Sequence, residues 1–137
     1  MAVTEPIDTA KDWLSTAKLA LEKGMGAQAV YAMEMSAEIA LKSVLIVLHV
    51  DVPKVHDISG AARIFIAGNR KVDREFLGSL DGYLATFEAL LRLRAPAGYG
   101  FEGQLAREEI NAQAKALLPK CSEIISACEH AVKRIGH

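Results

Sequence analysis

The chain has 137 residues, a length that favours one domain, spanning residues 1–137, around a single hydrophobic core. Its 16 basic and 17 acidic residues give a formal net charge of -1, so overall charge does not favour binding to nucleic acid or to a membrane surface. The N-terminus has neither a basic start nor a continuous apolar segment, and the longest apolar region, residues 39–50, is too short to span a bilayer. We therefore expect a cytoplasmic protein without a membrane segment.

Apolar residues recur at helical spacing along the chain, and clusters of Gly or Pro separate the apolar segments. This pattern predicts an all-α, up-and-down bundle of about five helices. The predicted helices cover residues 6–24, 27–48, 59–67, 73–93 and 104–135. We expect Pro119 to kink or break the last helix, because proline lacks a backbone donor. A glycine-rich loop is expected at residues 95–103.

The second predicted helix carries charged residues within a broad apolar surface. Glu34, Glu38 and Lys42 follow one another at four-residue steps. If this face is exposed, the sequence predicts a Glu38–Lys42 salt bridge that contributes about 0.3 kcal/mol. If it is buried, the charges need partners such as Arg92 or Arg94, either inside the bundle or in a cleft between two protomers. Both interpretations stay open on the sequence.

His56 and Asp57 precede the third predicted helix. The simplest interpretation is structural: Asp57 or Ser59 accepts the free amides at the helix start, and His56 packs under the loop. A nucleotide or phosphate contact is the alternative. Arg92 and Arg94 have the same two interpretations, because a cation at a helix C-terminus interacts with the helix dipole and can also bind phosphate.

Four segments together carry a family resemblance. They are Asp12-Trp13-Leu14, Ala37-Glu38-Ile39-Ala40-Leu41-Lys42, Pro53-Lys54-Val55-His56-Asp57-Ile58 and Leu93-Arg94-Ala95-Pro96. In this order and spacing the chain resembles the HEPN family of small prokaryotic helical domains over nearly its full length. The resemblance implies a helical bundle that pairs into a homodimer with a cleft between protomers. It also implies a toxin and antitoxin pair with a small nucleotidyltransferase, and for many members a metal-independent ribonuclease activity.

The ribonuclease motif of the family is an Arg followed, after four to six residues, by a His. No Arg in this sequence has a His at that spacing. The motif needs both groups, because the guanidinium stabilises charge on the phosphate while the imidazole transfers protons. After Arg94 the window contains Tyr99, Gly100 and Phe101. A phenol with an ordinary pKa of about 10 is a poor base at neutral pH, which makes this chemistry doubtful for Tyr99.

An alternative alignment matches Arg94-Ala95-Pro96 to the Arg-Tyr-Pro of another branch of the family, with Ala95 in place of the tyrosine. Either alignment departs from the family pattern. No confident catalytic residue follows from the sequence, and Arg94 and Tyr99 are the candidates.

No metal site and no cofactor are predicted. The four histidines are scattered, and the two cysteines lack the spacing of zinc ligands. Cys121 and Cys128 lie two turns apart on one predicted helix, too far along its axis for a disulfide. We expect both to be reduced thiols in the core.

These observations predict a homodimeric, catalytically weakened HEPN-type module that binds nucleotide, RNA or a partner nucleotidyltransferase. The expected ligand-binding residues are Glu38, Lys42, His56, Asp57, Arg92, Arg94 and Tyr99. Two alternatives stay open: an active metal-independent ribonuclease toxin that uses Arg94 with Tyr99 or His56 as the base, and a purely structural oligomerisation module.

Overall fold

A computed structural model describes the backbone of residues 5–99 and 106–136 and the side chains of residues 6–94 and 106–136. Within these residues the chain forms five helices and no strand, which confirms the predicted all-α bundle. The helices are α1 (Glu5–Glu22), α2 (Gly26–Val47), α3 (Ser59–Phe65), α4 (Arg74–Tyr99) and α5 (Arg107–Ile135). In the same residues, we find no helix with the length and apolar character that a bilayer crossing requires.

Helix α2 is the centre of the bundle and contacts each of the other four helices. It is apolar on most of its surface, and its buried alanines, such as Ala29, Ala37 and Ala40, allow close approach of the neighbouring helices. Fully buried side chains from three helices, including Leu41, Phe87 and Ile124, complete the core. A polar side chain on the buried faces of α2 is therefore close to a packed, low-dielectric environment.

Specific hydrogen bonds fix how the helices meet. The Ser36 hydroxyl donates to the Ala10 carbonyl at 2.6 Å and joins α2 to α1. At the start of α2, the Gly26 amide donates to Asn111 Oδ1 at 2.7 Å and joins it to α5. Asp73 caps α4 by accepting the Phe76 amide at 2.7 Å. The bonds of the Gly26 and Phe76 amides satisfy donors that the helix ladders leave free.

Helix α4 is longer than the sequence predicts. It continues from the expected end near residue 93 to Tyr99, so the prediction of a loop is wrong for residues 95–99. Residues 100–103 of that predicted loop lie outside the described part of the chain. The extension is possible because a proline near a helix end removes only one hydrogen bond, and the flanking Ala95 and Ala97 are strong helix formers.

Helix α5 runs without a break through Pro119, so a division there is wrong and a kink is not confirmed. Pro119 lies on the exposed side of the helix, and so does Lys115, whose carbonyl loses its usual amide partner. Water can bind that carbonyl. The opposite side of α5 is buried in the bundle, and this packing keeps the helix continuous.

Two local predictions are confirmed. Asp57 Oδ1 accepts the amide of Ser59, the first residue of α3, at 3.1 Å, and the Ser59 hydroxyl at 2.5 Å. Cys121 and Cys128 are both free and buried. Burial raises the pKa of each thiol, to about 12 for Cys121.

Candidate functional site

The acidic residues Glu34 and Glu38 lie on the buried part of α2. Glu34 is fully buried, and the Glu38 side chain is only 6% exposed. Because the two residues are one turn apart, both carboxylates lie on the same side of α2. The exposed-face interpretation of this segment is therefore wrong, and each carboxylate needs a partner.

Glu34 finds its partner on α4. Arg94 Nη1 donates to Glu34 Oε2 at 2.8 Å, and the Arg94 side chain is 24% exposed. The guanidinium carbon of Arg94 also lies 4.4 Å from the centre of the Tyr31 ring, in a cation–π contact. Tyr31 in turn packs edge-on against Trp13 of α1, with ring centroids 5.9 Å apart. Arg94 is thus held in place by a carboxylate and an aromatic face.

Glu38 has two partners of its own. Lys42 Nζ donates to Glu38 Oε2 at 2.8 Å, and His56 Nδ1 lies 3.0 Å from Glu38 Oε1. The Lys42 side chain is 22% exposed and that of His56 is 63% exposed. The irregular segment before α3 therefore brings His56 over the buried carboxylates. We call Glu34, Glu38, Lys42, His56 and Arg94 the charged cluster.

The two carboxyl groups of the cluster differ in acidity. Burial raises the pKa of Glu34 to about 8, hydrogen bonding and repulsion from Glu38 act in the same direction, and Arg94 opposes them. Burial alone would raise the pKa of Glu38 too, but hydrogen bonds with Lys42, Glu34 and His56 outweigh it and lower that pKa. At neutral pH Glu38 is ionised and Glu34 mostly carries a proton.

One atom of the cluster has no ordinary partner. Glu34 Oε1 is buried and has no hydrogen bond. The neighbouring Glu38 carboxylate is an acceptor as well, so the two groups can bond to each other only through a proton. One ligand atom from each of Glu34, Glu38 and His56 lies within 4.8 Å of the other two, close enough to be considered as a metal-binding group.

Not every residue predicted for the site belongs to the cluster. Asp57 is exposed, and its described bonds go to Ser59. Arg92 is exposed on α4 and makes no described contact with the cluster. Tyr99 is placed by its backbone in α4, and its side chain lies outside the described residues. Tyr31, which the sequence analysis missed, precedes Glu34 by three residues, and this helical spacing is the only sequence signal for it.

A large groove in the described residues lies away from the charged cluster. It lies between α4 and α5, has a volume of about 990 Å³ and contains no member of the charged cluster. Small and polar side chains line it, among them Gly78, Gly82, Thr86 and Ser122. We place the candidate site at the charged cluster, because buried and paired ionisable groups are there.

Comparison with known families agrees with this architecture. The model of the HEPN domain matches residues 3–131, nearly the whole chain. The chain belongs to the HEPN domain family. No curated protein and no solved structure matches it. The motif segments that carry the resemblance contribute Glu38, Lys42, His56 and Arg94 to the cluster of this HEPN domain, and Glu34 and Tyr31 lie just before them on α2.

Proposed function

We propose that this HEPN domain acts as a homodimeric binding module for a phosphate-bearing ligand, a nucleotide or RNA, with Arg94 as the main contact. The supporting observation is that Arg94 is held between Glu34 and Tyr31 while remaining partly exposed. A guanidinium has five N–H donors. Among the described residues, one nitrogen of the Arg94 guanidinium hydrogen-bonds to Glu34. A cation fixed in this way loses little entropy when it binds phosphate.

Charge around Arg94 supports the same proposal. Because burial raises the pKa of Glu34 to about 8, that carboxyl neutralises Arg94 only in part at neutral pH. Glu38 remains ionised and pairs with Lys42. The cluster therefore has an excess of positive charge despite the formal charge of -1 on the whole chain.

We also propose that catalysis is weak or absent. The sequence has no Arg with a His at the spacing of the family's ribonuclease motif. His56, the histidine of the cluster, lies against Glu38, and the Arg94 hydrogen bond goes to Glu34. An active ribonuclease that uses Arg94 with Tyr99 or His56 remains the alternative. Incubating the purified protein with RNA decides between them, since cleavage that disappears in Arg94→Ala would establish the alternative.

Binding is tested with fluorescence anisotropy of a labelled single-stranded RNA and with competition by ATP. Arg94→Ala should weaken binding by about 10-fold or more, because hydrogen bonds to a charged group contribute about 1.5–3 kcal/mol. Arg74→Ala is the matched control, since Arg74 is an exposed arginine at the start of α4 outside the cluster. Equal affinity of the two variants would contradict the proposal. No binding by the unmodified protein would favour a purely structural module.

Pairing with a nucleotidyltransferase in a toxin–antitoxin system is a further part of the proposal and rests on membership of the HEPN family. The test is co-expression with any small nucleotidyltransferase that is encoded beside this chain, followed by purification through a tag on one partner. Light scattering on the isolated HEPN domain tests the homodimer separately. A monomer at micromolar concentration would contradict the shared cleft but not binding at Arg94 itself.

A further inference from the structure

Three potential metal ligands converge beneath the segment that precedes α3. Helix α2 supplies Glu34 and Glu38, and the segment supplies His56, with one ligand atom of each within 4.8 Å of the others. The Glu34 side chain is fully buried, and no donor of the described residues bonds its Oε1. The neighbouring Glu38 carboxylate is also an acceptor, so either a proton or a cation must lie between the two groups. This pair of facing acceptors is the observation that distinguishes the group from an ordinary pair of acidic residues.

We propose that Glu34, Glu38 and His56 form a binding site for a first-row divalent cation of the Zn²⁺ or Co²⁺ kind. Two carboxylates and one imidazole are a donor set that such cations accept, and they leave at least one coordination position for water or a ligand. The site binds the cation through Glu34 Oε1, because Oε2 of that residue is bonded to Arg94. His56, which is mostly exposed, forms its outer side.

The remaining members of the cluster support the ligands from outside. Arg94 holds Glu34 Oε2, and Lys42 holds Glu38 Oε2, each at 2.8 Å. Metal-binding carboxylates in proteins are themselves hydrogen-bonded in this way, which fixes their orientation. Arg94 and Lys42 also carry positive charge, so we expect weaker binding than in a site made of carboxylates alone.

Closing the site requires a modest movement. Ligand atoms at about 2.0–2.2 Å from a cation are roughly 3–3.5 Å apart, whereas these three atoms spread up to 4.8 Å. His56 lies on an irregular segment, and its side chain is mostly exposed, so it can move toward α2 without disturbing the core. The cation would thereby tie the segment before α3 to α2.

The experiment is calorimetric titration of Zn²⁺ into the full chain after chelator treatment, with Co²⁺ absorption as a second probe. We expect one site, weakened at least about 10-fold by Glu34→Gln and by His56→Ala. His130→Ala is the matched control, since His130 is an exposed histidine on α5 outside the cluster, and should bind as the unmodified chain does.

Two results would overturn the proposal: no binding by the unmodified chain, or binding that survives His56→Ala. If Glu34→Gln fails to fold, His56→Ala still decides the matter, because the exposed His56 side chain contributes little to the core. Circular dichroism of each variant shows whether it has folded. Loss of binding in His130→Ala would show an adventitious surface site and would also count against the cluster.

Discussion

Arg94 Nη1 lies 2.8 Å from Oε2 of Glu34, which joins the last third of α4 to a carboxyl group that is fully buried on α2. This contact connects two residues that are 60 positions apart in the sequence. It also places a cation at the edge of the core, where one side of the guanidinium meets Tyr31. The stability of this HEPN domain and its proposed binding function therefore depend on the same side chain.

Arg94→Ala should lower the free energy of unfolding by about 1–3 kcal/mol, because Glu34 Oε2 loses its hydrogen-bond donor inside the bundle. Arg94→Lys should recover only part of this loss, since lysine keeps the charge but not the planar guanidinium that stacks on Tyr31. Urea unfolding followed by circular dichroism measures both. Arg74→Ala, on an exposed arginine of the same helix, should change stability by less than about 0.5 kcal/mol. Equal losses at the two positions would show that the Glu34 contact contributes nothing.

Glu34→Gln should change how stability depends on pH. Burial raises the pKa of Glu34 from 4.5 to about 8, so between these values the folded state holds a proton that the unfolded state has released. The stabilisation that protonated Glu34 contributes to the folded state is therefore complete below about pH 4.5. It decreases as the pH rises toward 8, by about 1 kcal/mol per pH unit. Glutamine cannot ionise, so this fall should be absent from the variant.

The measurement is urea unfolding from pH 5 to pH 8.5 in the presence of a chelator, for both proteins. The difference between variant and unmodified chain reports Glu34 together with its hydrogen bond to Glu38, because the other titratable groups are common to both. The pKa of Glu38 is lowered instead, so its contribution is lost only as the pH falls below about 4.5, outside this range. A difference that stays constant from pH 5 to pH 8 would contradict a raised pKa at Glu34.

Helix number and order could be predicted from the sequence because each helix presents a regular apolar face to the core. The errors occur where proline was taken as a stop. Pro96 and Pro119 lie within helices, because α4 and α5 each have enough packing or neighbouring helix formers to tolerate one lost hydrogen bond. Periodicity reports which face is buried, but it does not report how firmly tertiary contacts hold a helix together.

The candidate site could be predicted only in part. The four-residue steps of Glu34, Glu38 and Lys42 place these residues on one face, but the sequence left an exposed face and a buried face with a partner arginine both open. Whether that arginine was Arg92 or Arg94 depended on the rotation of α4 against α2. The approach of His56 depends on the path of an irregular segment, and sequence spacing does not determine that path.

Gly26→Ala should destabilise the bundle by about 2 kcal/mol or more. A Cβ at Gly26 would lie 2.8 Å from the Cα of Asn111 and 2.2 Å from its Oδ1, so the backbones of α2 and α5 would have to separate. The same change weakens the bond from the Gly26 amide to Asn111. Gly82→Ala is the control, because a Cβ there meets nothing within 4 Å and alanine favours the helix by about 0.5–1 kcal/mol. The melting temperature should therefore fall in Gly26→Ala and rise in Gly82→Ala. A shift of both variants in the same direction would contradict the close approach at Gly26.

Alkylation of the two thiols should report opening of the core. Cys121 and Cys128 are buried, and burial raises the pKa of both, so neither side chain presents a thiolate to solvent at pH 8. Iodoacetamide should modify the folded chain at least about 100-fold more slowly than the chain in urea, since modification must wait for local or global unfolding. Mass spectrometry over time measures the rates. Arg94→Ala should accelerate labelling if the Glu34 contact stabilises the whole bundle, whereas rapid modification of the unmodified chain would contradict the burial of these cysteines.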